Sequence, residues 1–413
     1  MFDVRHLTTW VAPLALLASL ILVTASYGEP VVFEVSDDLI EKSVENVDAV
    51  SLILQPADDP RPAPPRAARR RGRYNSLLGT NRTVRMQRAP AMFGDFFAAL
   101  AALDVVLVNG EIFDTTTPFG GGATRSKVSD NNRALTDNRC YFLFNHFHNA
   151  LQQNGIIAPD LVSKDSVNRY TIGFERSFHD LLWSVELRIP LASGINVDVP
   201  NQFNVSAGAF GNIAVIFKRM LWETDNRAIS AGLGFDLPTG SDVEGLAGRQ
   251  PFVIHNEAVH LQPFVGFTCA RSDVVFFHGF FQLDLATNSN TVNLARQTAK
   301  FTEQNLMLVD VSMGAWLYKN PDARHLTGVA ALFELHYATT LQPTDFVNLR
   351  APSGEDLILV NAAGQIGVLN LTTGIHAELG NWAIRVGGVF PLKTGADQKF
   401  FDSELWLSIV KSI

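Results

Sequence analysis

His146 and His148 stand two residues apart, so on a strand they share one face at a spacing that could ligate a metal. No third ligand accompanies them, and neither a metal nor any other cofactor is expected. Cys140 and Cys269 are too few for a disulfide scaffold, and neither sits in a CxxC or Cys/His ligand spacing. Serine, histidine and aspartate occur without a GxSxG elbow or an HExxH helix, so no catalytic residue is expected. What recurs instead is charge at alternate positions of apolar stretches: Glu175, Glu186, Arg188, Asp236, Asp284, Glu334, His336, His376, Glu378, Arg385 and Glu404. On strands whose other face is apolar, this set would line the lumen of a barrel, where charge sets ion selectivity. Its excess of acid over arginine implies a weak cation preference. Glu and Arg paired across neighbouring strands would equally stitch the lumen closed.

The elements that must carry these residues are strands. Trp183, Val185, Leu187 and Ile189 alternate with Ser184, Glu186 and Arg188. Ile229–Leu237, Val275–Leu285, Val329–Tyr337 and Leu369–Leu379 read the same way, with His278, Gln282, His336 and His376 on polar faces. Period two puts successive side chains on opposite faces. About twelve such stretches begin near Asn138, Val167, Leu182, Gly211, Arg227, Ala258, Val274, Asn305, His325, Gln365, Asn381 and Phe400, an even number as in single-chain outer-membrane barrels. Each runs about nine to eleven residues, enough to cross a bilayer when tilted and longer than sandwich strands. Trp183, Trp222, Trp316, Tyr318, Tyr337, Trp382 and Trp406 fall near strand ends, as interfacial aromatics do, although Trp316 has the parity of the lumen face.

Ahead of the strands, Arg5 and His6 precede an apolar run from Trp10 to Ala25, and Ser26-Tyr27-Gly28 supplies small residues for cleavage. Residues 1–28 are therefore expected to be a signal peptide, the small-residue exit disfavouring an uncleaved anchor. Residues 29–90 are expected to be a disordered linker, with prolines and arginines concentrated in Pro56–Arg73. Residues 91–137 are a lead-in or a plug, for which Phe93–Gly122 is the candidate, and 138–413 form the barrel. The charged fraction of 18% is below that of ordinary soluble domains, and the net charge of −8 argues against a nucleic-acid binder.

Gly232-Leu233-Gly234-Phe235-Asp236-Leu237-Pro238-Thr239-Gly240-Ser241-Asp242 resembles the strand-and-turn motif of bacterial outer-membrane barrels of the phenol meta-degradation-pathway type. Asp137–Asn149 resembles the first strand of related barrels. The resemblance spans Phe93 to the C-terminus and implies transport of small molecules, with no catalytic residue to carry over. The final Ile413 departs from the terminal aromatic usual in such chains. The expected fold is all-β: a transmembrane antiparallel up-and-down barrel of about twelve strands. The leading function is a passive channel for small solutes through a polar lumen. A non-conducting structural or envelope-tethering barrel is the second reading, and a barrel enzyme acting on lipid the third. The expected partners are outer-membrane lipid, the barrel-assembly machinery and, through the arginine-rich segment, cell wall or polysaccharide.

Overall fold

The computed structural model describes residues 89–95, 102–108, 112–116, 125–155, 163–193, 195–199, 203–342, 345–360, 367–393 and 399–413. The chain divides into units Met1–Leu77 and Leu78–Ile413, and the described residues belong to the second. The signal peptide and almost all of the linker expected from the sequence lie outside them.

The described elements are all strands. β1 (Ala102–Val106) and β2 (Ile112–Thr116) come first, and the barrel then begins with β3 (Arg139–Gly155), β4 (Ser163–Phe178) and β5 (Trp183–Ala192). The hairpin β6 (Ile195–Val199) and β7 (Phe203–Ala207) leads to β8 (Ile213–Glu223) and β9 (Arg227–Leu237). The hairpin β10 (Val243–Ala247) and β11 (Gln250–Ile254) leads to β12 (His260–Cys269) and β13 (Val275–Ala286). After β14 (Asn290–Leu294) and β15 (Gln297–Phe301) come β16 (Leu306–Lys319) and β17 (Gly328–Thr340). After β18 (Val347–Arg350) and β19 (Asp356–Val360) come β20 (Gly367–Leu379), β21 (Trp382–Pro391) and β22 (Ser403–Ser412).

Twelve long strands form the barrel: β3, β4, β5, β8, β9, β12, β13, β16, β17, β20, β21 and β22. All neighbours are antiparallel. The ring closes because β3 pairs with both β22 (Asn145 opposite Trp406) and β4 (Leu143 opposite Thr171). Closure satisfies every strand edge internally, which a lipid environment demands. One end carries short turns and the C-terminus. From the other end rise the hairpins β6–β7, β10–β11, β14–β15 and β18–β19. Edge pairings β7–β10 and β11–β14 join the first three hairpins into a six-stranded sheet. The fourth pairs through β19 with β1, and β1 through β2 with the far end of β3. The result is a collar at the hairpin end.

The alternation expected from the sequence is visible in burial: β5 alternates half-buried Trp183, Val185, Leu187 and Ile189 with buried Ser184, Glu186, Arg188 and Pro190. Apolar side chains face out on every barrel strand, among them Phe142, Ile172, Phe217, Val265, Phe281, Val311, Leu335, Ile375, Val386 and Leu405. Phe178, Trp222, Tyr318 and Trp382 are exposed around the short-turn end, the arrangement of an interfacial aromatic belt.

One expectation is corrected. Trp406 does not belong to that belt: it is fully buried inside the barrel, as is nearly all of Trp316. On β22 Trp406 shares the parity of Glu404 and Ser408, so it must point inward. Of the plug candidate Phe93–Gly122, the described residues 93–95 lie in the lumen, whereas β1 and β2 pair into the collar, where their backbone groups gain a ladder. Among the described residues, 89–95 and 125–137 occupy the lumen.

Candidate functional site: a gripped segment inside the barrel

Residues 89–95 and 125–137 form no helix or strand, yet they lie where bulk water cannot reach their backbone. Buried amides and carbonyls must find partners. Some partners are mutual: Met92 N donates to Asn132 O at 2.8 Å and Asn131 N to Phe93 O at 2.9 Å. Gly94, at φ +106°, makes this turn because a Cβ there would strike Asp130. The remaining partners come from the barrel wall. The wall charges take the place of a strand ladder.

Wall acids accept from the inner amides. Glu334 receives Phe93 N through both oxygens at 2.9 Å and Gly94 N at 3.2 Å. Asp236 receives Ser126 N and Ser126 Oγ, each at 2.7 Å. Gln282 receives Val128 N at 2.7 Å, and Asp310 the Ser129 hydroxyl at 2.7 Å. Wall cations donate to the inner carbonyls. Arg188 reaches Lys127 O at 2.7 Å and Val128 O at 3.2 Å. Lys218 reaches Arg133 O and Leu135 O, both at 3.0 Å, and Asn132 Oδ1 at 2.7 Å. Arg139 donates to Asn131 O, and Arg385 to Asn131 Oδ1 and Ala91 O.

The same wall groups also pair among themselves. Glu175 bridges Arg139 at 2.8 Å and Lys218 at 3.1 Å. Glu186 takes Arg188 at 3.0 Å and the Tyr141 hydroxyl at 2.6 Å. Nearer the collar, Asp284 binds His260 at 2.8 Å, while Arg125 binds Glu303 at 3.0 Å and Gln304 O at 2.7 Å. Burial by itself would raise the Glu303 carboxyl, but Arg125 and His260 hold it below the ordinary carboxylate range. Phe93 is fully buried; the Arg385 guanidinium stacks over it at 4.5 Å and over Trp406 at 4.9 Å. The two rings meet edge-on at 4.8 Å. Trp406 Nε1 points to Asp130 at 3.3 Å.

Of the residues singled out in the sequence, Glu175, Glu186, Arg188, Asp236, Asp284, Glu334, His336, His376, Arg385 and Glu404 are buried within the barrel. Glu378 is half-buried at the short-turn end, 3.6 Å from His376. Glu404 accepts from Asn145 at 2.5 Å. His146 and His148 lie on the outer face, His146 against Asn168 and His148 near Ser166. Sequence reasoning missed Arg139, Lys218 and Asp310 on the wall and Arg125 and Lys127 in the inner segment. Arg139 has the parity of Tyr141 and Asn145, so the strand pattern could have found it. No periodicity marks 125–137.

Apolar clusters flank this charged layer. Toward the short turns lie Phe93, Met220, Phe276, Trp316, Leu332 and Trp406. Toward the collar, Val243, Phe252, Leu294, Leu349 and Leu359 join Phe147, Val167 and Phe401 of the barrel.

No family model and no curated protein matches the sequence. Solved structures that align with it include the Ralstonia pickettii toluene transporter TbuX, at 11% identity over 72% of this chain and 97% of that one, TM-score 0.32. A deletion mutant of the TodX monoaromatic hydrocarbon channel aligns at 9% identity over 72% and 97%, TM-score 0.36. A Pseudomonas aeruginosa FadL homologue aligns at 9% identity over 71% and 96%, TM-score 0.34. With scores this low, the description of this chain rests on its own strand pairing: it is a closed antiparallel barrel with an apolar exterior and a charged interior gripping a segment of itself.

Proposed function

We propose that this chain is a bacterial outer-membrane barrel that passes small solutes through a polar lumen, closed in the present state by residues 89–95 and 125–137. The short-turn end then faces the periplasm and the collar faces outward. One observation carries the reading: the segment's backbone is held by hydrogen bonds to charged and polar wall side chains. Water can replace each of those bonds, and vacating the lumen would then expose the apolar contacts of Met92, Phe93, Val128 and Leu135 with the wall. An apolar lumen would seal the same space permanently.

The second reading, a barrel that never conducts, is favoured by the apolar clusters above and below the charged layer. Planar-bilayer recording of the folded, full-length protein separates the two. The wild type should show low resting conductance with brief openings. Arg188→Met with Arg385→Met should raise open probability about tenfold or more, because two of the grips on inner backbone groups are gone. Glu186→Lys should shift the reversal potential towards anions. Silence in the wild type and in both variants, each migrating as a folded heat-modifiable barrel, rejects the channel and leaves the structural reading.

A further inference from the structure

The inner segment carries a cation into a ready acceptor set. Lys127 Nζ lies 2.5 Å from Asp95 Oδ1 and 2.6 Å from Asp310 Oδ1. It is 3.4 Å from His336 Nδ1. That nitrogen is itself 2.8 Å from Asp310 Oδ1 and 3.5 Å from Asp95 Oδ1, and His336 Nε2 is 3.2 Å from Glu334 Oε2. One donor atom from each of Asp95, Asp310 and His336 falls within 4.8 Å of the others, and all three residues are buried. Small side-chain adjustments would contract that span to a first-row metal's coordination sphere.

The donor set is unequally owned. Asp310 is on β16, and Glu334 and His336 are on β17, so these three stay with the wall. Asp95 and Lys127 belong to the inner pieces. Two carboxylates, Asp95 and Asp310, converge on the one ammonium, and Glu334 holds the far nitrogen of His336. If the segment withdraws, Asp310 stays on the wall without the ammonium, and a carboxylate in a confined site requires a replacement cation. An imidazole with carboxylates suits zinc, cobalt or manganese ions better than calcium or magnesium.

We infer that Asp310 and His336, backed by Glu334 and faced by Asp95, form a divalent transition-metal site whose place Lys127 occupies while the segment is seated. The ammonium acts as a tethered stand-in for the metal. Metal and the Lys127 ammonium then compete for Asp310 and His336, so metal held by these two wall ligands favours the vacated lumen, with Asp95 withdrawn along with the segment. This competition rests on the proposed channel reading; the metal site does not.

The test uses the full chain and cobalt(II). Lys127→Met removes the stand-in and leaves the ligands, so it should bind about one equivalent of cobalt, with visible d–d absorption, at least 100-fold more tightly than the wild type. His336→Ala or Asp310→Asn in the Lys127→Met background should abolish that binding. Cobalt binding by Lys127→Met no tighter than the wild type's, or unchanged by the second substitutions, overturns the site. If Lys127→Met does not fold alone, cobalt in the refolding buffer should rescue it, and failure of rescue overturns the site as well. Cobalt should also raise the wild-type open probability in bilayers. Tight binding by the variant with no change in wild-type current keeps the site and overturns the competition.

Discussion

At the scale of single residues, the wall charges act on backbone. Lys218 illustrates why they are lysine and arginine: its ammonium satisfies two inner carbonyls, an amide oxygen and Glu175 at once. Lys218→Met would leave Glu175 with less counter-charge and the carbonyls without this donor. A broken buried ion pair typically costs about 3–5 kcal/mol, so the urea midpoint of the folded form should fall by the corresponding amount. Replacing the solvent-exposed Lys300, paired with Glu257, should cost less than about 1 kcal/mol in the same assay. Glu303 gives the pH dependence its sign. Its folded carboxyl titrates below the ordinary range, so its ion pair with Arg125 contributes fully above the unfolded value and is lost as pH falls through the folded one. Urea midpoints measured from pH 7 downward should hold to about pH 5 and then drop. Glu303→Gln should be less stable at neutral pH and lose less on acidification; a parallel fall in both proteins would remove Glu303 as a source of the slope.

At the scale of elements, the wall is shaped to receive the segment. Gly374 on β20 and Gly387 on β21 are cross-strand partners, and the Phe93 ring lies over both. A Cβ at Gly374 would come within 2.5 Å of the ring, and one at Gly387 within 3.1 Å. Glycine is required here for close approach. Gly374→Ala should push Phe93 from between Arg385 and Trp406, at a cost of about 1–3 kcal/mol as overpacking. The expected readings are a red-shifted Trp406 emission and a higher resting conductance, with the barrel still heat-modifiable. Unchanged emission would mean that the ring does not rest on these glycines. The collar follows the same logic in the apolar register: its hairpins are too short to bury a face alone, and pairing them edge to edge encloses Val243, Phe252 and Leu294.

At the scale of the whole molecule, a closed wall makes the interior, among the described residues, a place where function can differ from a generic barrel. The alternation of strands such as β5 and β9 was enough to read the wall: all twelve barrel strands begin within about five residues of the sequence-derived starts, since period two fixes the strand and its inward face together. That is why Glu186, Asp236 and Arg385 could be named before any coordinates. Trp406 shares the inward parity of Glu404, and parity, not aromatic character, decides its place. The filling of the lumen was legible in part, at residues 93–95, and not at 125–137. Residues 125–137 have no period, because a chain that bonds to surrounding side chains obeys the spacing of those side chains instead of a repeat of its own. Lys127 meets Asp310 and His336 across 183 and 209 residues of sequence. Sequence by itself determined a barrel with apolar outside and charged inside, because backbone alternation is local. Only the tertiary structure decided which charges meet and that the chain's own segment satisfies them, because those contacts exist only once the ring has closed.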